Sequence, residues 1–144
     1  MRIGRISRII PLTVLTATVL LSAGCGAGMG QVDGKVVWQD GTPAKELAGS
    51  HVVFESAETR TSARGIIGPD GSFKLGTKAA DDGAPVGEYE VMILENRKNA
   101  NADGTLLMPP VLASRYGDLK TSGLKATVKS GVTPIILTVE RAKP

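Results

Sequence analysis

Pro85-Val86-Gly87-Glu88-Tyr89-Glu90-Val91-Met92-Ile93 is the stretch that decides the fold. Its apolar residues Tyr89, Val91 and Ile93 stand at every second position. Because successive side chains of a strand point to opposite faces, this period of two predicts a strand with one buried face. Pro85 fixes φ just before that strand, which favours a corner in the chain.

The same period of two recurs along the rest of the chain in short runs that Gly, Asp, Asn and Pro separate, and no run has the period of a long amphipathic helix. We therefore expect an all-β fold, a seven-stranded antiparallel β-sandwich. The predicted strands are Gln31–Trp38, His51–Ser56, Thr61–Ile67, Ser72–Gly76, Tyr89–Glu95, Leu124–Lys129 and Thr133–Glu140.

Two Asp-Gly pairs mark turns between these runs. Asp40-Gly41 and Asp70-Gly71 supply residues that tolerate positive φ. The second pair predicts a tight hairpin over Gly68–Phe73. Phe73 and Leu75, which follow it, fall on alternate positions and are expected to face the same core as Tyr89.

A series of short motifs follows in order along the chain: Gly34–Val37, Asp40–Pro43, Val52–Phe54, Gly68–Leu75 and Pro85–Val91. This series resembles the carboxypeptidase regulatory-like domain. The later run Tyr116–Gly131 is similar to the ending of small bacterial lipoproteins that carry this single domain. The resemblance covers nearly the whole chain after residue 30 and implies a transthyretin-like sandwich of the immunoglobulin-like class. It implies a fold and a location rather than an activity.

The N-terminal segment has the order basic, apolar, small. Three arginines come first, an uncharged run over Ile9–Leu21 follows, and small residues come last. This order predicts a signal peptide over residues 1–24. The apolar run is shorter than the roughly 20 residues of a spanning helix and contains Pro11, which argues against a permanent transmembrane helix.

The only cysteine stands at the end of this segment. Leu21-Ser22-Ala23-Gly24-Cys25 resembles the bacterial lipobox, with Leu21 one position further from the cysteine than is usual. The resemblance implies that a peptidase recognises Leu21–Gly24, that Cys25 carries a thioether-linked diacylglyceryl group, and that residues 25–30 form a tether before a domain over 31–144. The alternatives are an ordinary secretory signal with an incidental cysteine, or a buried thiol. A lipid on Cys25 would hold the protein on a membrane of the cell envelope, on its periplasmic or outer-surface face.

Charge excludes one class of partner. The chain has 17 basic and 14 acidic residues, but the three arginines Arg2, Arg5 and Arg8 precede Cys25 and no acidic residue does. The remaining chain is therefore neutral and offers no basic footprint for nucleic acid. With a single cysteine, no disulfide can form within the chain.

The candidates for catalysis are few. His51 is the only histidine, no Gly-x-Ser-x-Gly motif is present, and Ser122 stands in a turn-like, solvated setting. Asp81 and Asp82 are adjacent, so on an extended chain they point to opposite faces and are interpreted as a solvated loop. Transthyretin-type hydrolases depend on several histidines and a C-terminal Tyr-Arg-Gly-Ser run, which this sequence lacks. We predict no enzyme and no cofactor, and keep such a hydrolase as the weakest alternative.

One loop resembles the start of a calcium site. Asn99, Asn101 and Asp103 place oxygen ligands at alternate positions before Gly104. The twelfth position of the loop is Pro110 instead of a bidentate glutamate, so any calcium binding here is expected to be weak.

These observations predict a non-enzymatic, membrane-anchored module that binds or supports another envelope component, an envelope protein or a glycan. The natural contact surfaces are the loops Gln39–Gly49 and Asn96–Leu107. One alternative is a protein that binds a small ligand or carbohydrate, for which Trp38 and Tyr116 could form an aromatic platform, although packing in the core is the expected role of both. Another is an assembly subunit joined through an exposed sheet edge.

Overall fold

The computed structural model describes residues 28–96 and 109–144. In that part of the chain the structure has eight strands, two 3₁₀ turns and one α-helix of four residues. The strands are β1 Met29–Trp38, β2 His51–Ser56, β3 Thr61–Ile66, β4 Ser72–Lys74, β5 Ala84–Pro85, β6 Gly87–Leu94, β7 Leu124–Val128 and β8 Gly131–Val139. The 3₁₀ turns are Lys45–Leu47 and Ser114–Gly117, and the helix α1 is Leu119–Ser122.

The strands form two four-stranded sheets around one core, which confirms the all-β prediction in its broad form. Sheet A consists of β4, β1, β5 and β8, with β1 at its centre, and sheet B has the order β3-β2-β6-β7. Each of the seven predicted runs contains a strand, so the count differs by β5 alone. That strand has only two residues and therefore shows no alternation that a pattern could detect.

The expectation of a wholly antiparallel sandwich is wrong at one pair. β8 runs parallel to β1 along its whole length, from Gly30 opposite Gly131 to Trp38 opposite Val139. β7 belongs to sheet B, and the chain crosses to sheet A before β8 begins beside the start of β1. Alternation of side chains is the same in parallel and antiparallel strands, so the sequence pattern could not distinguish them.

The turn over Gly68–Phe73 forms as expected, but among the described residues the segments on either side of it pair at only one antiparallel bridge, between Arg64 and Gly76. Gly68 N donates to the Ser72 carbonyl at 2.7 Å, and Gly71 has a φ of +82°. The flanking strands β3 and β4 nevertheless lie in different sheets, because β4 pairs with β1. The turn therefore links the two layers of the sandwich.

The core contains the side chains that alternation placed there. Phe73, Leu75, Tyr89, Val91 and Ile93 are all buried. Phe54 from β2 joins the layers, since its ring centroid lies 6.0 Å from that of Phe73 and 5.9 Å from that of Tyr89. The predicted corner before β6 is present as well: the Tyr89 hydroxyl donates to the Pro85 carbonyl at 2.7 Å, and burial raises the pKa of Tyr89.

The sandwich has two ends, which we call the near end and the far end. The near end is where β1 and β8 begin and where the first residue of β6, Gly87, pairs with the last of β7, Val128. The far end is where β1 finishes at Trp38 and where His51, the first residue of β2, lies opposite Leu94 of β6. At about 3.3 Å per residue, the ten residues of β1 separate the two ends by about 30 Å.

Candidate contact end and ligand groove

Several predicted site residues lie outside the described residues. These are the lipobox Leu21–Gly24, Cys25, and the calcium candidates Asn99, Asn101 and Asp103. Their roles stay predictions. Among the described residues, no three His, Cys, Asp or Glu side chains lie close enough together to hold a metal ion.

The loop Gln39–Gly49 forms part of the far end and starts with an ordered turn. Trp38 N donates to the Thr42 carbonyl, and Gly41 N donates to the Trp38 carbonyl, both at 2.8 Å. The Asp40 carboxylate accepts a hydrogen bond from Thr42 N, and its bonds from Thr42 hold the pKa of Asp40 below its usual value. The Asp-Gly pair thus acts as the sequence predicted.

A second set of contacts ties this loop to the C-terminal residues. The Glu46 carboxylate accepts hydrogen bonds from Arg141 Nη1 at 2.7 Å and from the Trp38 indole at 3.0 Å. The Arg141 guanidinium also lies 4.1 Å above the Trp38 ring. The hydrogen bond from Arg141 is the main reason why the pKa of Glu46 is lowered. The loop is therefore held by side-chain contacts as well as by its backbone.

A similar set of contacts surrounds Tyr116. Its hydroxyl accepts from Arg115 Nη2 at 2.6 Å and from Glu140 N at 3.2 Å, and the Arg115 guanidinium lies over the ring. Glu140 also accepts a hydrogen bond from Gln39 Nε2 at 2.8 Å. Both Tyr116 and Trp38 are buried, which confirms that they pack in the core. They cannot form an exposed platform for a sugar.

The two predicted contact loops meet at the far end as far as the structure describes them. Asn96 N, at the start of the second loop, donates to the Ser50 hydroxyl at 3.1 Å, directly after the first loop ends. A Cβ on Gly49 would lie 2.7 Å from the Asn96 amide nitrogen, so the two segments are in contact. The rest of the second loop lies outside the described residues.

His51 lies on the outer face of sheet B at this end. Its partners across the strands are Ile66 of β3 and Leu94 of β6, and all three side chains are exposed. The cross-strand neighbours of the histidine are therefore aliphatic, and His51 also lines a groove beside β3. This row, Ile66–His51–Leu94, has the apolar character of a contact surface and lacks a cross-strand carboxylate to orient the imidazole.

A groove lies where the edge of β3 faces β4 and the segment after it. Its volume is about 990 Å³, and its buried floor includes Gly34, Gly65 and Phe73. The exposed cationic side chains on its walls are Arg64, Lys74 and Lys78, and the acidic ones are Asp33 and Asp81. Lys74 Nζ lies 3.7 Å from Asp33, which leaves the Arg64 side of the groove the more basic. Sequence reasoning missed this groove, because it forms between strands of different sheets.

Asp82 shapes one wall of the groove. Its carboxylate accepts hydrogen bonds from the backbone N–H groups of Thr77, Lys78 and Ala79 at 2.6, 3.1 and 3.0 Å, and these bonds lower the pKa of Asp82. Asp82 lies in a partly exposed loop, as expected, and its carboxylate also holds the backbone of residues 77–79 in place. The sequence offers a weak signal for this contact, since Asp82-Gly83 is one of five Asp-Gly pairs and such pairs are common in turns.

Ser122 corrects an expectation. Its hydroxyl is buried and donates to the Val91 carbonyl at 2.5 Å. It fastens the last residue of α1 to β6 and does not face solvent. No sequence pattern marks this contact, because it joins residues 31 positions apart.

Comparison with known proteins finds no family model, no curated protein and no solved structure that matches this chain. Within residues 28–96 and 109–144, no helix is both long enough and apolar enough to cross a membrane.

Proposed function

We propose that this chain is a lipoprotein of the cell envelope, anchored by a lipid on Cys25, that acts without catalysis by contacting another envelope component through its far end. The observation that carries this proposal is the direction of β1. The strand begins at Met29, four residues after Cys25, and finishes at the opposite end of the sandwich, about 30 Å away. A lipid on Cys25 therefore leaves the far end open to a partner.

The construction of the far end supports a role in binding. The loop Gln39–Gly49 is held by Glu46 through two hydrogen bonds, so it loses little conformational freedom when a partner binds. Beside it, the row Ile66–His51–Leu94 exposes aliphatic surface. An ordered loop next to a small apolar patch suits a protein or peptide partner.

The surroundings of His51 are the reason why we propose a function without catalysis. A histidine base needs a group that orients it and a substrate within hydrogen-bond reach. His51 lines the groove together with Arg64, but its cross-strand neighbours, Ile66 and Leu94, provide no group that would orient the imidazole as a base. A separate proposal concerns the fold class. Assignment to the carboxypeptidase regulatory-like, transthyretin-like class is supported by the corner at Pro85 and Tyr89 and by the Asp70-Gly71 turn.

Anchoring is tested by metabolic labelling with a fatty-acid analogue. We expect the wild-type chain to incorporate the label and the Cys25→Ala variant to lose it. The matched control is Ser130→Ala, in an exposed turn of the domain, which should keep full incorporation. Label that persists in Cys25→Ala would refute lipidation at this residue.

Binding through the far end is tested by affinity capture from solubilised membranes. Ile66→Asp places a charge in the apolar row of the far end, whereas Thr127→Asp places the same charge at an exposed position at the near end of sheet B. We expect a specific co-purifying component to be lost with Ile66→Asp and retained with Thr127→Asp. A component captured equally by both variants would show that the far end is not the contact surface.

The groove favours a second candidate function, the binding of a small anionic or hydroxyl-rich ligand such as an acidic sugar. Arg64 and Lys78 could pair with a carboxylate, and the hydroxyl groups of Ser62 and Ser72 could bond to sugar hydroxyls. A thermal-shift screen with acidic sugars tests this candidate. Stabilisation of the wild type that disappears in Arg64→Ala but not in Lys125→Ala, a lysine on another strand, would support it.

A further inference from the structure

An apolar strip runs along the outer face of sheet A. Its members are Met29, Val132 and Ile136, which are 50%, 62% and 70% exposed. The register of β1 and β8 places Val132 beside Gln31 and Ile136 beside Lys35, so all three side chains project from the same face. The other large apolar residues exposed in the described part of the chain, Ile66 and Leu94, belong to sheet B. We call Met29, Val132 and Ile136 the β8 strip.

The length of chain before β1 brings this strip close to the proposed anchor. Met29 follows Cys25 by four residues, so the two Cα atoms are at most about 14 Å apart at ~3.3–3.6 Å per residue. Gly131 pairs with Gly30, so β8 starts beside the start of β1, at the usual spacing of about 4.8 Å between adjacent strands. A lipid on Cys25 therefore holds the strip within reach of the bilayer surface.

The charges beside the strip suit a membrane with anionic lipids. Lys35 lies next to Ile136 in the register, and Lys129 precedes β8 at the near end; both side chains are exposed. The acidic residue between them, Asp33, lies 3.7 Å from Lys74, which offsets its charge. Exposed apolar side chains flanked by lysines are typical of surfaces that lie in the membrane interface.

The backbone of β8 disfavours one competing arrangement, in which a second copy of this chain pairs with the free edge of sheet A. β8 is an edge strand of sheet A, and Pro134 stands in its middle. Because proline has no N–H, it occupies strand positions whose nitrogen faces the free edge. That edge therefore lacks a donor at its centre, a feature that prevents sheets from pairing edge to edge.

We propose that the β8 strip rests on the membrane, so that the sandwich lies on the outer face of sheet A instead of standing on its near end. This proposal rests on the proposed lipidation of Cys25. In this orientation Val132 and Ile136 contact the headgroup region together, although they stand four residues apart along β8. The far end projects sideways along the surface and stays open to a partner.

The test uses the full-length lipoprotein in vesicles of phosphatidylethanolamine with a minority of phosphatidylglycerol. Four variants, Val132→Cys, Ile136→Cys, Thr127→Cys and Ile66→Cys, each carry an environment-sensitive fluorophore on the new thiol. The sulfur of a lipidated Cys25 is a thioether and does not react. Thr127 lies at the near end and Ile66 at the far end, both exposed on the outer face of sheet B, so they are matched controls.

Lipids with a nitroxide near the headgroup then report contact. Because an interfacial apolar face lies about 5–10 Å into the headgroup boundary, we expect quenching at Val132 and Ile136 to exceed quenching at Thr127 and Ile66 by about twofold or more. The emission of the buried Trp38 checks that each variant is folded. Mass spectrometry of the peptide that contains Cys25 reports lipidation separately.

Three results would overturn the proposal while the anchor stands. Equal quenching at Val132 and Thr127 with none at Ile136 would show an upright domain, and no quenching at any position would show a domain held clear of the surface. A blue shift at Ile136 that depends on protein density and not on nitroxide lipid would show a second copy on the strip. If the peptide of Cys25 carries no lipid, the proposed function fails and this inference fails with it.

Discussion

Gly34→Ala tests the packing between the two sheets. Gly34 lies on β1 opposite Phe73 of β4, and the Phe73 ring covers the place where a side chain would begin. A Cβ at Gly34 would lie 2.1, 2.3 and 2.4 Å from three carbon atoms of that ring. Carbon atoms in good contact are ~3.5–4.0 Å apart, so the ring would have to move by about 1.5 Å.

The ring has little room for such a movement. Phe73 is buried, and its centroid lies 6.0 Å from that of Phe54 on the opposite sheet. Forcing extra atoms into a packed core costs about 1–3 kcal/mol. Replacing glycine by alanine also lowers the entropy of the unfolded chain, which stabilises the folded state by about 0.4–1 kcal/mol. We therefore expect Gly34→Ala to lower the free energy of unfolding by about 1–2 kcal/mol.

The assay is urea unfolding of the detergent-solubilised lipoprotein, followed by the fluorescence of Trp38, which is buried and is the only tryptophan. With an m-value of about 1.5 kcal/mol/M, the expected loss shifts the midpoint by about 1 M. Gly117→Ala is the control, because a Cβ there meets no atom within 4 Å.

A double-mutant cycle with Phe73→Leu isolates the clash. The smaller side chain frees part of the space that the new Cβ needs, so the double variant should lose less stability than the sum of the two single variants. An unchanged midpoint for Gly34→Ala, or strict additivity in the cycle, would refute the idea that Gly34 is required for the position of this ring.

Three further predictions concern polar contacts. The pKa of Glu46 is lowered mainly by its hydrogen bond from Arg141, so this carboxylate stabilises the fold above its ordinary pKa of 4.5 and the effect disappears as the pH falls through the lower folded pKa. The urea midpoints of wild type and Glu46→Gln should therefore converge in acid. At neutral pH their free energies of unfolding should differ by less than about 1 kcal/mol, because the Glu46–Arg141 pair is half exposed. A difference that stays constant at all pH values would contradict this. Asp82→Ala should speed amide hydrogen exchange in residues 77–79 and leave the exchange rates of β6 unchanged. Equal exchange of residues 77–79 in the wild type and in Asp82→Ala would show that the carboxylate does not hold the loop. Ser122→Ala should cost about 1 kcal/mol in urea unfolding, since the Val91 carbonyl loses its buried donor, and a neutral result would mean that this hydrogen bond adds nothing net.

Strand positions were predictable because their signal is local. Tyr89, Val91 and Ile93 face the core as their alternation predicted, and the Asp70-Gly71 turn forms where expected. Sheet membership was not predictable. The connection from β3 to β4 looked like a hairpin because a tight turn separates two strands, yet the same turn also fits a crossing between layers.

For the candidate site as well, local features were predictable from the sequence and long-range ones were not. The sequence predicts an anchor at Cys25 and a contact surface at the loop Gln39–Gly49, because a lipobox-like motif and a turn-rich loop are contiguous patterns, and both stay predictions. The groove beside Arg64 and the burial of Ser122 depend on residues that are distant in the chain. No short pattern contains them.

By itself, the sequence determined that the domain is built from strands, which residues of each strand face inward, and that a lipobox-like segment precedes a neutral domain. These properties follow from side-chain alternation and from residue order, which act over a few positions. Only the tertiary structure decided that β8 joins β1 in parallel and that the two ends of the sandwich are distinct. Strand pairing depends on which surfaces the whole chain can bury together, and residues as far apart as Gly30 and Gly131 take part in that choice.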